Sequence, residues 1–280
     1  WGGLIILGKS IVNTASGTGH IEGIPEEPRT LYGGDDDADN SGVIRYVSIR
    51  HGGTDIGSAN EINGLTMGAV GSGTAIEHVE VINNKDDGFE WFGGTVNCKY
   101  LVSAFNGDDS FDYDEGFRGM GQFWLSIADP SESNRAGEHD GGTEPEDGTP
   151  YAQAKVYNAT YIGGDSSDIN ADNDYALKIR DNAGAIYKNS IFMSFAYGVD
   201  IEDVEQTEVD SKQRLDQGDI ILANNIWYNF TEGITKHEYE APHLAEYDNV
   251  MEDPMITVSY EADQTFLPLP PEGSPAWEIL

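Results

Sequence analysis

The chain holds one cysteine, Cys98, in 280 residues. That excludes an intramolecular disulfide and any cysteine-based metal cluster, and its place in an apolar run reads as a small buried hydrophobe. Basic residues are scarce, 15 Lys and Arg against 50 Asp and Glu, for a formal charge of -35. A surface of that sign repels nucleic-acid phosphate and anionic lipid, so no nucleic acid is expected as a partner. Nowhere does an apolar run reach the roughly 18 residues of a membrane span, and no membrane insertion is expected. The opening residues, from Trp1 to Leu7, lack the basic flank of a signal peptide and read as the middle of a strand. The β-helix inferred below is therefore expected to continue upstream of Trp1. Apolar stripes of helical period are almost missing as well, which disfavours helical bundles.

What the chain does have is 38% hydrophobic and 10% aromatic residues, enough for a core, and 34 glycines, enough for many turns. It also repeats. Residues 76–91 lie over residues 98–113 at an offset of 22, matching Asp86 with Asp108, Asp87 with Asp109, Phe89 with Phe111, Glu90 with Asp112 and Trp91 with Tyr113. Residues 44–53 carry the same strand pattern 32 residues before Ile76. A second series sets Asn158, Asn189 and Asn224 three residues before Tyr161, Phe192 and Trp227. Short β-branched and aromatic runs between Gly, Asn and Asp punctuation predict an all-β chain. A propeller blade needs about 40 residues, and a sandwich gives no reason for one signature to recur at 22, so the period predicts a solenoid. The expected architecture is a parallel β-helix over residues 1–235, with long solvated loops at 129–150 and 202–219, the second with room for a short helical turn. An irregular, proline-rich strap over 236–280 is expected to pack on the last coils. The three asparagines are expected to stack in the bends as scaffold, bonding coil to coil.

The motifs Tyr32-Gly-Gly34, Asp39-Asn-Ser-Gly-Val-Ile-Arg-Tyr-Val-Ser-Ile-Arg-His-Gly-Gly53, Asn60-Glu-Ile-Asn-Gly-Leu-Thr66, Asp86-Asp-Gly-Phe-Glu-Trp-Phe-Gly-Gly94 and Gly116-Phe-Arg-Gly119 carry a resemblance. The chain resembles secreted or surface proteins of marine and Bacteroidota-type bacteria, within the pectate-lyase-like superfamily. That resemblance implies a right-handed parallel β-helix and an extracellular or cell-surface location. Enzymes of the wider superfamily combine carboxylate-bound calcium with an Arg or Lys base acting on a uronate. In this sequence Arg118 is the candidate base.

Equivalent positions in neighbouring coils lie about 4.8 Å apart. Bare carboxylates at that spacing repel by roughly 3 to 4 kcal/mol at an effective dielectric near 20. With few basic residues at hand, a cation is the natural compensation, and calcium suits several carboxylate oxygens in uneven geometry. The candidate ligands are Asp86, Asp87, Glu90, Asp108, Asp109 and Asp112, unless these acids simply line solvated turns. With Phe89 and Phe111 stacked inside, Glu90 and Asp112 should point outward, together with Asp86 and Asp108. The acidic run at 35–39 reads as a solvated loop. His51 and His78 read as core histidines, and Trp91, Tyr113 and Trp124 either face sugars or build an internal stack. The expected function is a secreted, calcium-stabilised β-helix that engages an extracellular polysaccharide, by lyase-like cleavage or by binding. The alternative is a structural surface protein whose partner is another copy of itself. A basic residue, Arg118 or Lys178, set beside the acidic ladder would favour the enzyme.

Overall fold

In the computed structural model the described residues are 2–22, 24–54, 62–142, 144–164, 174–204, 209–258 and 269–279. Two long sheets run side by side. The first stacks eight parallel strands in the order Leu4–Leu7, Leu65–Gly68, Phe89–Phe92, Phe111–Asp114, Gly137–Asp140, Tyr175–Arg180, Tyr197–Ile201 and Gly233–Thr235. The second begins with four eight-residue strands, Val43–Arg50, Ala75–Ile82, Asn97–Ala104 and Met120–Ile127. It then divides, with Gln153–Tyr157 and Thr160–Ile162 both pairing with Met120–Ile127. Each coil thus contributes a strand to both sheets, and the chain is a right-handed parallel β-helix. The one antiparallel pair described is a small hairpin, Gly19–His20 with Leu31–Tyr32.

The sequence offsets are the register. Ile44 lies beside Ile76 and Ile76 beside Cys98; Phe89, Glu90 and Trp91 lie beside Phe111, Asp112 and Tyr113. Phe89 and Phe111 are fully buried and stack at 5.5 Å between ring centroids. Phe111 continues onto Trp124 at 4.7 Å, Trp124 onto Trp91 at 5.1 Å, and further along Phe192 stacks on Trp227 at 4.4 Å. Aromatics at one position per coil fill a solenoid core because each ring covers the face of the next.

Three sequence expectations need correction. Residues 137–140 are no solvated loop: Gly137–Asp140 is a buried strand of the first sheet, paired on both sides. Its Glu, His and Asp are tolerated there because ion pairs and ring contacts engage them. The asparagines 158, 189 and 224 hold positive φ (57°, 55° and 54°); Asn158 Oδ1 does accept from Gln122 Nε2 of the neighbouring coil at 3.2 Å, but the bonds to the bend amides come from the residue next to each asparagine. Ser190 Oγ accepts from Ala159 N, Asn225 Oδ1 from Ser190 N, and Asn249 Oδ1 from Asn225 N. Asn106 Oδ1 does the same for Asn84 N. A left-handed residue turns its own side chain out of the bend, which leaves the next residue facing the turn amides. Finally, the segment after residue 235 is partly regular, with a helix at Glu240–Glu246 and a parallel bridge from Val250 to Ile226. The strap proper packs Ile256, Val258, Ala276 and Ile279 against Ile162, Ile191, Met193 and Ile226. Residues 266–268 of its proline-rich stretch lie outside the described residues.

Candidate functional site

Two consecutive turns lead into the first sheet, Asp86-Asp87-Gly88 and, one coil on, Asp108-Asp109-Ser110. Asn84 fixes the first by donating Nδ2 to the carbonyls of Ile62 and Asp87, each at 3.0 Å. Gly88 lets the coils close on each other, since a Cβ there would come within 2.3 Å of Ser103 Oγ and 2.8 Å of the Ser110 carbonyl. The turns interlock: Asp87 Oδ1 accepts from Asp109 N at 2.9 Å, and Asp109 Oδ1 accepts from Arg135 N at 2.6 Å.

Five of the six predicted acids bring their carboxylates together here, while Asp109 turns its own to Arg135. One carboxylate oxygen from each of Asp86, Asp87 and Asp108 lies within 4.8 Å of the others, and the same holds for Asp87, Glu90 and Asp112. Asp87 belongs to both groups. Glu90 and Asp112 do point away from the core, yet Glu90 is only 5% exposed, Asp87 7% and Asp109 2%. The outward ladder is therefore covered over Glu90, where Asn63 donates to the carboxylate and Glu22 adds its charge. Asp86, Asp108 and Asp112 are half-buried, with Asp86 and Asp108 on the open side. Among the described residues Asp112 Oδ1 is inaccessible and has no hydrogen-bond partner.

Burial first, and neighbouring carboxylates second, push Asp87, Glu90, Asp109 and Asp112 well above the usual carboxylate range. The column continues from Glu90 and Asp112 through Glu138, Lys178 and Asp200. From Glu138 onward it is balanced. Arg135 stands one coil beyond Asp109 and reaches Glu138 at 2.8 Å; Arg180 holds Asp140 through two bonds of 2.8 and 2.9 Å; Lys178 holds Asp200 at 2.9 Å. Negative charge is thus concentrated in the two coils of the repeated signature. Glu138 and Arg135 escaped the sequence reading because they lie in a Gly-, Pro- and acid-rich run; the only signal was that Glu138-His-Asp140 repeats the acid-x-acid pattern of Asp112-Tyr-Asp114 at roughly coil spacing.

The family model described as pectate-lyase-like β-helix domain matches residues 1–262. The chain belongs to that family. No curated protein and no solved structure matches it.

Elsewhere the β-helix domain departs from expectation. Arg118 donates to both oxygens of Asp37 at 2.9 and 3.0 Å and to the Gly116 carbonyl at 2.7 Å. Asp37 also accepts from Ser10 Oγ and Ile11 N, so part of the acidic run 35–39 is a structural clamp and no plain solvated loop. Partial burial would raise Asp37, but these donors outweigh it and hold the carboxyl below its usual range. Lys178 stands on the ladder's own face, one coil beyond Glu138, within its pair to Asp200. Trp91, Tyr113 and Trp124 are buried in the core stack and face no ligand. The histidines were misplaced: His51 is exposed, while His78 lies on the outer surface between two tyrosine rings. The buried histidine of the β-helix domain is His139, stacked on Tyr113 at 4.1 Å and bonded to Tyr187 Oη at 2.8 Å. Burial lowers it to about 3, so it is neutral.

Proposed function

We propose that this β-helix domain is a secreted or cell-surface module that carries calcium between its two acidic coils and binds acidic polysaccharide through it. The observation that carries the reading is the pair of carboxylate groups sharing Asp87, with Asp112 Oδ1 buried beside them and lacking a partner. Calcium takes six to eight oxygens at about 2.3 to 2.6 Å and fits such a set. Asp87, Glu90 and Asp112 would hold the ion from beneath, leaving Asp86 and Asp108 beside an open coordination side. A chain of charge -35 gains nothing from a bare polyanion, so a uronate carboxylate would approach only across a bound cation.

Binding is favoured over cleavage because the two candidate bases, Arg118 and Lys178, and the two arginines beyond the ladder are engaged. Arg118 is clamped by Asp37, Arg135 by Glu138, Lys178 by Asp200 and Arg180 by Asp140. A guanidinium or ammonium in such a pair has its donors committed to the partner carboxylate and does not face a substrate proton as a Brønsted base must.

The test is affinity electrophoresis on polygalacturonate and alginate with a neutral glucan as control. Retardation by the uronate gels is expected in millimolar calcium and lost in chelator, with no rise in absorbance from unsaturated product. The Asp86→Asn, Asp108→Asn double variant should run unretarded. Retardation indifferent to chelator and to these substitutions would remove the calcium bridge, and release of unsaturated product would make the protein a lyase.

A further inference from the structure

The four long strands of the second sheet bend in mid-strand at residues of positive φ: Tyr46 (56°), His78 (55°), Tyr100 (57°) and Phe123 (59°). A left-handed residue at one position of successive coils lines its side chains up outside the sheet. Here the column is four rings deep. Tyr46 and His78 stack at 4.6 Å with planes 6° apart, His78 and Tyr100 at 4.4 Å and 9°, Tyr100 and Phe123 at 5.2 Å and 7°. They form one wall of a groove of about 490 Å³ whose other wall is Ser48, Glu80, Val102 and Leu125, themselves in register. Tyr46 is 80% exposed, Tyr100 42% and Phe123 40%. Aligned open aromatics beside an apolar floor are a surface built to be covered.

The same furrow continues down the β-helix. Its bend column passes from Phe123 to Asn158 and Asn189, and its outer column from Leu125 to Thr160 and Ile191. There the C-terminal stretch borders it: Pro270, Ala276, Trp277 and Ile279 share a cavity of about 190 Å³ with Phe123, Asn158 and Ile191, and Ala276 and Ile279 pack in one cluster with Ile191. Among the described residues, the upper half is lined by its own strands alone.

We infer that the open upper half takes an extended, proline-containing apolar polypeptide segment of a partner protein, in the furrow that the chain's own strap, turned into a short 3-10 helix at Pro275–Trp277, borders below. The ring geometry selects this occupant. Sugars stack on aromatic faces, but these faces are spent on one another and the groove meets ring edges, which carry the positive end of the quadrupole. A polyproline-type segment offers outward carbonyls to such edges and aliphatic rings to the Val102 and Leu125 floor. Three inter-strand steps of about 4.8 Å span about 14 Å, the length of four to five residues at roughly 3.1 Å each. The ion pair of Arg50 with Glu80 supplies a polar rim.

The test uses the whole chain against a displayed library of short proline-containing peptides, selected in chelator so that the proposed calcium site plays no part. Enrichment of aliphatic and proline sequences is expected, and affinity for a synthesised winner should fall at least tenfold in the Tyr46→Ser, Tyr100→Ser double variant. Both side chains are exposed, so an unchanged melting temperature will show that the variant is folded. No enrichment over background would overturn the inference, as would winners that bind the double variant equally well. Oligosaccharide binding abolished by the same two substitutions would overturn it in favour of a sugar site.

Discussion

Calcium at one hundred times its dissociation constant should raise the melting temperature of the domain by roughly 5 to 10 °C over sodium chloride of matched ionic strength. Ligand at that excess adds about 2.7 kcal/mol to the folded state. For chains near this size a kilocalorie moves the midpoint by about 2 to 4 °C. Sodium acts by screening, which reaches exposed charges but hardly touches Asp87, Glu90 and Asp109 under their cover. Asp87→Asn separates the two effects. Its amide oxygen can still accept from Asp109 N, and the lost charge removes repulsion from Asp112, Asp109, Glu90 and Asp86. The variant should therefore melt higher than the parent in chelator and gain nothing specific from calcium. Equal responses to calcium and sodium, or a full calcium increment in the variant, would show these acids to be a solvated or protonated face.

Without a metal, stability should rise as pH falls from 8 to about 5. Asp87, Glu90, Asp109 and Asp112 are held well above their ordinary range, and Glu115, Asp140 and Glu240 are pushed to about 7, in each case mainly by burial. An acid whose folded pKa exceeds its unfolded one binds protons preferentially in the native state, so its cost is fully present above the folded pKa and relieved as pH falls through it. Each unit of difference is worth about 1.4 kcal/mol. His139 works the other way. Its ring is lowered from 6.5 to about 3, so below pH 6.5 the unfolded chain takes a proton that the folded core refuses. The two trends cross, which puts the metal-free optimum at mildly acid pH. Calcium needs the carboxylates ionised and competes with those protons, so saturating calcium should move the optimum upward. Urea midpoints across the pH range, with and without calcium, measure both curves; metal-free stability that falls between pH 8 and 6 would contradict the assignment.

Register was the most legible feature of the sequence, because strand residues repeat without insertion while turns absorb the differences in coil length. The acid cluster followed from it directly. Its cover did not: Asn63 and Glu22 reach Glu90 from segments with no repeat of their own. The Arg118 clamp was equally hidden, since Asp37 lies 81 residues away in an unpatterned loop. The outer aromatic column could not be read either. Tyr46 and Phe123 sit inside runs of good strand formers, and positive φ at a non-glycine residue in mid-strand leaves no mark in composition.

The column through Glu90, Asp112, Glu138, Lys178 and Asp200 also bears on how the molecule comes apart. A solenoid's free energy is close to a sum over neighbouring coils, with no contact that closes the whole into one cooperative unit. Repulsion stored between the coils of Glu90 and Asp112 therefore weakens that interface locally, whereas the pairs of Arg135 with Asp109 and Asp174, of Lys178 with Asp200 and of Arg180 with Asp140 tie the coils beyond it. Without a cation the domain resembles a zipper with one loose tooth, opening between those two coils while the stack past Arg135 stays shut; a bound ion at that interface would fasten it and turn two cooperative blocks into one.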